Sequence, residues 1–166
     1  VEDAASGNVD YFRTAKAVEL EVVFDGLARW AQRHIAADIA LKDRDAAVLM
    51  WKLHRKILVE ELPRRRNVIR FHFADTTSPN LTYWIITKPG EPVELCVSDP
   101  GFDVDLFIET EVPVMAGLYL GRCEFGREIE EGRLFLSGDA RLAKTISRWL
   151  QLSPFADAQG IARFKP

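Results

Sequence analysis

Cysteine is scarce in this chain of 166 residues, with Cys96 and Cys123 the only two. Two thiols cannot build a disulfide scaffold, and neither has the spacing of a zinc site, so a reducing compartment and a cytoplasmic location are expected. No apolar run approaches the roughly 18 residues of a membrane span, and no charged-then-apolar leader opens the sequence. A basic excess is also missing. The formal net charge is −3, which argues against phosphate neutralisation by the chain as a whole. Arg64, Arg65 and Arg66, after Pro63, form the only basic run and read as a solvated turn. The start at Val1 rather than Met suggests a piece of a longer chain.

Catalytic signatures are equally thin. There is no Gly-x-Ser-x-Gly elbow, neither cysteine has a histidine nearby in sequence, and Gly117 with Gly121 lacks the Lys-Ser/Thr end of a phosphate loop. His34, His54 and His72 fall on different expected elements, whereas a metal triad needs three converging ligands. Asp99, Asp103 and Asp105 offer closely spaced oxygens. Yet Asp103 and Asp105 lie on one side of an expected strand, opposite Val104, Leu106 and Ile108, as a half-solvated strand provides, and Asp99 before Pro100-Gly101 is a turn former. The expectation is a non-enzymatic chain with no catalytic residue, no metal and no cofactor.

Hydrophobic residues make up 48% and charged residues 28% of the chain, a balance that suits a globular fold and excludes disorder. From Thr14 to about Ala37, Leu20, Phe24, Leu27, Ala31 and Ile35, flanked by Val23 and Trp30, follow the helical period. Asp43 or Asp45 can cap a second helix holding Val48, Leu49, Trp51 and Leu53, closed by Pro63. The period then becomes two. Val68 to Phe73, Leu81 to Thr87, Val93 to Val97 and Val104 to Ile108 read as four strands, and the short turns between them predict an antiparallel meander. Glu111 to Leu120 and Glu124 to Glu131 read as helices and Arg133 to Ser137 as a fifth strand. Gly138 and Asp139 provide a turn and an N-cap for a final helix from Ala140 to Leu152, its apolar side formed by Leu142, Ile146, Trp149 and Leu150. The fold class expected is α+β: a five-stranded, mainly antiparallel sheet with helices packed on one face, preceded by a long N-terminal helix.

The span from about Ala46 to Phe155 resembles the sterol carrier protein type 2 family. The likeness is carried best by Phe125-Gly-Arg-Glu-Ile-Glu-Glu-Gly-Arg-Leu-Phe-Leu-Ser-Gly-Asp139, where that family has a short helix, a glycine turn, a hydrophobic strand and Gly-Asp before its last helix. Leu49-Met50-Trp51-Lys52-Leu53, Asp99 to Asp105 and Trp149 to Ala156 look like the C-terminal part of bacterial HxlR-type transcriptional regulators that carry such a domain behind a winged helix. Tyr11 to Leu20 and Gly26 to Arg33 are similar to the end of the wing and the start of the dimerisation helix. The DNA-reading helices are absent from this chain, and Ala17 replaces the glycine usual at the wing.

The resemblance implies a remnant of wing and dimerisation helix over 1–40, a sterol carrier-like ligand-binding domain over 41–156 and a tail over 157–166. It also implies an apolar cavity for a lipid-like small molecule between sheet and helices. Large apolar residues on the inner faces would line it: Phe71 and Trp84 as the sheet floor, with Met115, Leu118, Tyr119, Phe125, Ile129, Ile146, Trp149, Leu150 and Phe155 from the helical side. Trp149 and Phe155 suit a movable cover, and Trp149 equally suits the edge of a filled core. Leu20, Val23, Phe24, Leu27, Trp30 and Ile35 exceed what one small domain must bury and point to a homodimer. DNA would be met only through the missing winged helix. The alternative is a dimerising or partner-docking domain with a filled core and no ligand.

Overall fold

The computed structural model describes residues 12–36, 45–74, 80–157 and 160–162. Helices α1 (Ala15–Glu19) and α2 (Glu21–His34) come first, α1 started by the Thr14 side chain accepting from Ala17 N and the two separated at Leu20. Helix α3 (Ala46–His54) begins at Asp45, whose Oδ1 accepts from Ala47 N at 2.7 Å and Val48 N at 3.1 Å. A carboxylate at this end also opposes the positive pole of the helix. Asp43, the other candidate cap, and Ala37 lie outside the described residues.

A 3-10 turn (Val59–Glu61) leads into β1 (Asn67–Phe73), β2 (Thr82–Thr87), β3 (Glu94–Cys96) and β4 (Leu106–Thr110). Helices α4 (Val112–Tyr119) and α5 (Phe125–Glu130) precede β5 (Leu134–Gly138), α6 (Ala140–Lys144) and α7 (Ile146–Trp149). The architecture is the expected one, a five-stranded, mainly antiparallel sheet with its helices on one face. Two-residue alternation decides which side chains meet them. Ile69, Phe71, Phe73, Tyr83, Ile85, Leu106 and Ile108 are buried beneath the helices, while Arg70, His72, Trp84 and Phe107 take the other face.

Two expectations need correction. The sheet order is β3-β2-β1-β4-β5, so the meander ends after three strands and β4 pairs with β1 in parallel, Phe71 opposite Ile108. Strands lie only about 4.8 Å apart, so residues 97–105 can carry the chain from one side of β1 to the other. Asp105 fastens that connection, donating its N–H to Val68 O at 2.8 Å and accepting from Val68 N at 2.8 Å. Asp105 also takes a 2.6 Å bond from Arg65, which leans on Asp139 as well, so Arg65 braces the connection from the exposed bend in which it lies.

The final helix is also shorter than its pattern. It breaks at Thr145, whose hydroxyl donates to Arg141 O at 2.8 Å, and ends at Trp149. Leu150 instead bridges Ile57, with Leu58 N donating to Trp149 O and Gln151 N to Lys56 O. Backbone groups spent on that pairing cannot continue a helix.

Gly138, at φ +117°, must be glycine for two reasons. The conformation is one that side-chain-bearing residues avoid, and a Cβ there would collide with Asp105 O, the atom that accepts from Asp139 N. Gly138→Ala is expected to lower the unfolding free energy by about 1–3 kcal/mol in urea titration; an unmoved midpoint would contradict this account of the β4–β5 join.

Candidate functional site

The helices and the inner sheet face close on one hydrophobic core. Phe71, Met115, Leu118, Ile146, Trp149 and Leu150, all expected to line a cavity, belong to that core and are at most 3% exposed. Trp149 is anchored there by its indole N–H, which donates to Leu142 O at 2.9 Å. Trp84 pairs with Arg70 on the outer face while Phe71 pairs with Tyr83 on the inner one, so they do not share a floor. Phe125 packs half-buried against the core, and Ile129 is 42% exposed.

Tyr119, half-buried against the same core, and Phe155 border open space between α3 and α4. A cleft of about 200 Å³ is bounded by Asp45, Val48, Leu49 and Lys52 of the α3 segment and by Ala116, Tyr119 and Leu120. A second, of about 400 Å³, shares Lys52, Tyr119 and Leu120 and continues past Arg55, Lys56 and Phe155. The shared walls make them one groove. Its first part is largely aliphatic, and its second is basic. Among the described residues, Lys52, Arg55 and Lys56 form no ion pair, so their charge is available. Burial pushes the Tyr119 phenol up, against a hydrogen bond from Ser153 that lowers it, so the groove holds a neutral hydroxyl at neutral pH. Ser153 N also donates to Tyr119 O at 2.7 Å, which ties the C-terminal segment to α4.

Lys52 and Arg55 were missed in sequence because they read as ordinary solvated helix residues. Their three-residue spacing at the end of α3 was a visible signal, but half of the apolar wall beside them, Ala116 and Leu120, comes from the α4 segment, distant in sequence.

A separate cleft of about 260 Å³ lies at one end of the sheet, among His72, Glu109, Glu111, Arg133 and Phe135. Of its charges Arg133 is committed, whereas Glu109 and Glu111 form no ion pair among the described residues. His72 Nδ1 is 2.9 Å from Thr82 Oγ1, and Arg133 meets Glu131 and, at 2.6 Å, the buried Glu128. Among the described residues no group of three or more His, Cys, Asp or Glu is placed to hold a metal, and no helix is long and apolar enough to cross a membrane. Asp99 Oδ1 accepts from Gly101 N at 2.8 Å, as a turn former does. The Cys123 thiol is pushed up to about 12, first by burial and then by the Glu128 carboxylate. It is a poor nucleophile at neutral pH.

No protein-family model matches the chain, and no curated protein matches it. Among solved structures it is similar to a double mutant of the sec-alkyl sulfatase PisA1, with a TM-score of 0.52 and 12% identity over 74% of this chain and 18% of that one. The chain thus spans less than a fifth of the alkylsulfatase's length. Sterol Carrier Protein 2 Like 2 from Aedes aegypti gives a TM-score of 0.40 at 15% identity, covering 60% of this chain and 87% of that one. UbiJ-SCP2, a ubiquinone synthesis protein, gives 0.39 at 15% identity, covering 76% and 90%. At such identities the likeness concerns fold alone.

The raised Cys123 value carries a sign. Its protonated thiol favours the folded state below the ordinary value of 9, and that contribution is lost as pH rises from 9 toward about 12. Stability measured across this window should therefore fall more steeply for the native chain than for Cys123→Ala. Equal slopes would show that burial does not hold the thiol.

Proposed function

We propose that this chain binds an elongated hydrophobic or amphipathic small molecule, without catalysing a reaction, in the groove between α3 and α4. The observation that carries the reading is the continuity of an aliphatic wall at Val48, Leu49, Ala116 and Leu120 with a basic end at Lys52, Arg55 and Lys56. An apolar chain laid along the wall gains about 2.5 kcal/mol for each 100 Å² of surface removed from water. Its polar or anionic end would reach the ammonium and guanidinium groups and the Tyr119 hydroxyl. Of the residues expected to line a lipid site, Tyr119 and Phe155 are the two that border this groove.

In the setting implied by the resemblance of Tyr11 to Arg33, this binding layer is the effector part of an HxlR-type transcriptional regulator. Two copies would join through α2, and DNA would be read by a winged helix outside this chain. The exposed apolar side of α2 favours that pairing.

A fluorescent fatty acid titrated into the protein should bind saturably, and Lys52→Glu with Arg55→Glu should weaken it at least tenfold, about 1.4 kcal/mol. Val48→Asp, at an exposed position of the aliphatic wall, should weaken it as well while leaving the urea midpoint unchanged. Uptake that never saturates, or that ignores all three changes, would remove the reading.

A further inference from the structure

The two edges of the sheet differ in how they are guarded. Strand β3 is only three residues long, follows Pro92 and carries Glu94, which Lys88 holds at 3.2 Å. Short, charged strands beside a proline resist further pairing. Strand β5 has none of these guards. It runs Leu-Phe-Leu-Ser-Gly from Leu134 to Gly138 without a charge or a proline, and Phe135, Ser137 and Gly138 are exposed. Beyond its ladder with β4, no hydrogen bond reaches residues 134–138 among the described residues, although Gly132, Arg133 and Asp139 on either side are all bonded. A row of N–H and C=O groups therefore points outward from β5.

The chemistry beside this edge is one-sided. His72, Glu109 and Phe135 stand in register across β1, β4 and β5, and with Glu111 they wall the cleft of about 260 Å³. Glu109 and Glu111 form no ion pair among the described residues, and Glu111, although it occupies the N-cap of α4, makes no side-chain cap bond. Arg133, the cationic wall, is taken up by Glu128 and Glu131. Two carboxylates are thus left without a counter-charge. Phe135, 59% exposed, stands between Glu109 and the open edge.

We infer that β5 is completed by an extended segment of a partner protein, a further strand in which basic and apolar residues alternate. In such strand addition the backbone groups of the edge supply affinity and the flanking side chains select the sequence. On the helix-covered side the added strand runs beside half-buried Leu136, so its side chains there are apolar. On its open side they lie beside Phe135, with Glu109 one strand further in. Two strand spacings, about 10 Å, separate the added strand from β4. Lysine and arginine are long enough to cross that gap, their stems covering the aromatic ring and their charge meeting the ring face and the carboxylates. A second copy's β5 does not fit this role, because between Leu134 and Gly138 it has no base to offer Glu109 and Glu111.

The probe is a fluorescein-labelled peptide, Lys-Val-Lys-Val-Lys-Val-Lys, followed by anisotropy at low ionic strength, where exposed charges are least screened. It should bind saturably and slow hydrogen exchange at the amides of residues 134–138. Glutamate in place of lysine should weaken binding by about tenfold or more, since like charges then meet. Methylation of alternate peptide nitrogens, which removes donors without touching charge, should weaken it by about tenfold as well. On the protein, Glu109→Gln with Glu111→Gln should weaken it by about fivefold, and Phe135→Lys should abolish it by charging the edge. All three side chains are exposed, so the urea midpoints of these variants should match that of the native chain. Binding that ignores methylation is adsorption by charge and overturns strand addition. So does uptake that never saturates, or a native chain that is dimeric until Phe135→Lys dissolves it, which gives the edge to a second copy.

Discussion

A guanidinium that is 2% exposed fixes how the N-terminal helix meets the rest of the molecule. Arg122 donates to Gln32 Oε1 at 3.0 Å, to Ile35 O at 3.0 Å and to Ala162 O at 3.1 Å. Gln32 in turn donates from its amide to Leu120 O at 2.7 Å and Phe155 O at 3.3 Å. A cation suits the negative pole of a helix, and a buried charge is tolerated only when hydrogen bonds replace its water. Arg122 therefore sets the rotation of α2 by its polar side, and the apolar side is left facing outward as a consequence. The attachment is polar and local, in contrast to the greasy contact that the sequence pattern of this helix invites.

The same junction borders the groove. Leu120 and Phe155, whose carbonyls hold Gln32, contribute walls to the space beside α3 and α4. The groove floor is the outer surface of a filled core, because Trp149, Met115 and Phe71 close the interior between sheet and helices. Apolar surface remains outside that core because α3 carries Val48 and Trp51 on its exposed side as well as Leu49, Met50 and Leu53 on its buried side. One helix thus supplies both a core face and a binding wall, and its basic residues sit where the wall ends.

Element identities were legible in the sequence wherever local chemistry was decisive. Asp45 and Asp139 cap helices, the two-residue period of Val68 to Phe73 marks a strand, and Gly138 turns the chain. The site was less legible. A large apolar residue on an inner face reads the same whether it fills a core or lines a hole, so Met115 and Trp149 share one sequence pattern with Tyr119 and Phe155. Distinguishing them requires knowing what stands opposite each side chain. The basic end of the groove had only the three-residue spacing of Lys52 and Arg55 as a signature, and the pair becomes notable only beside Tyr119 and Leu120.

By itself the sequence determined the α+β class and the order of helices and strands, because these follow from hydrophobic period, capping and turn chemistry within a few residues, whereas the buried face of β2 was misjudged at Trp84. Tertiary structure alone decided that β4 lies parallel to β1, that the last helix gives way at Leu150 to a bridge with Ile57, and that the interior is solid where Trp149 enters it. It also decided which side of α2 faces water. Each of these outcomes turns on backbone hydrogen bonds or packing between segments far apart in the chain, and no local pattern encodes which distant partner will satisfy them.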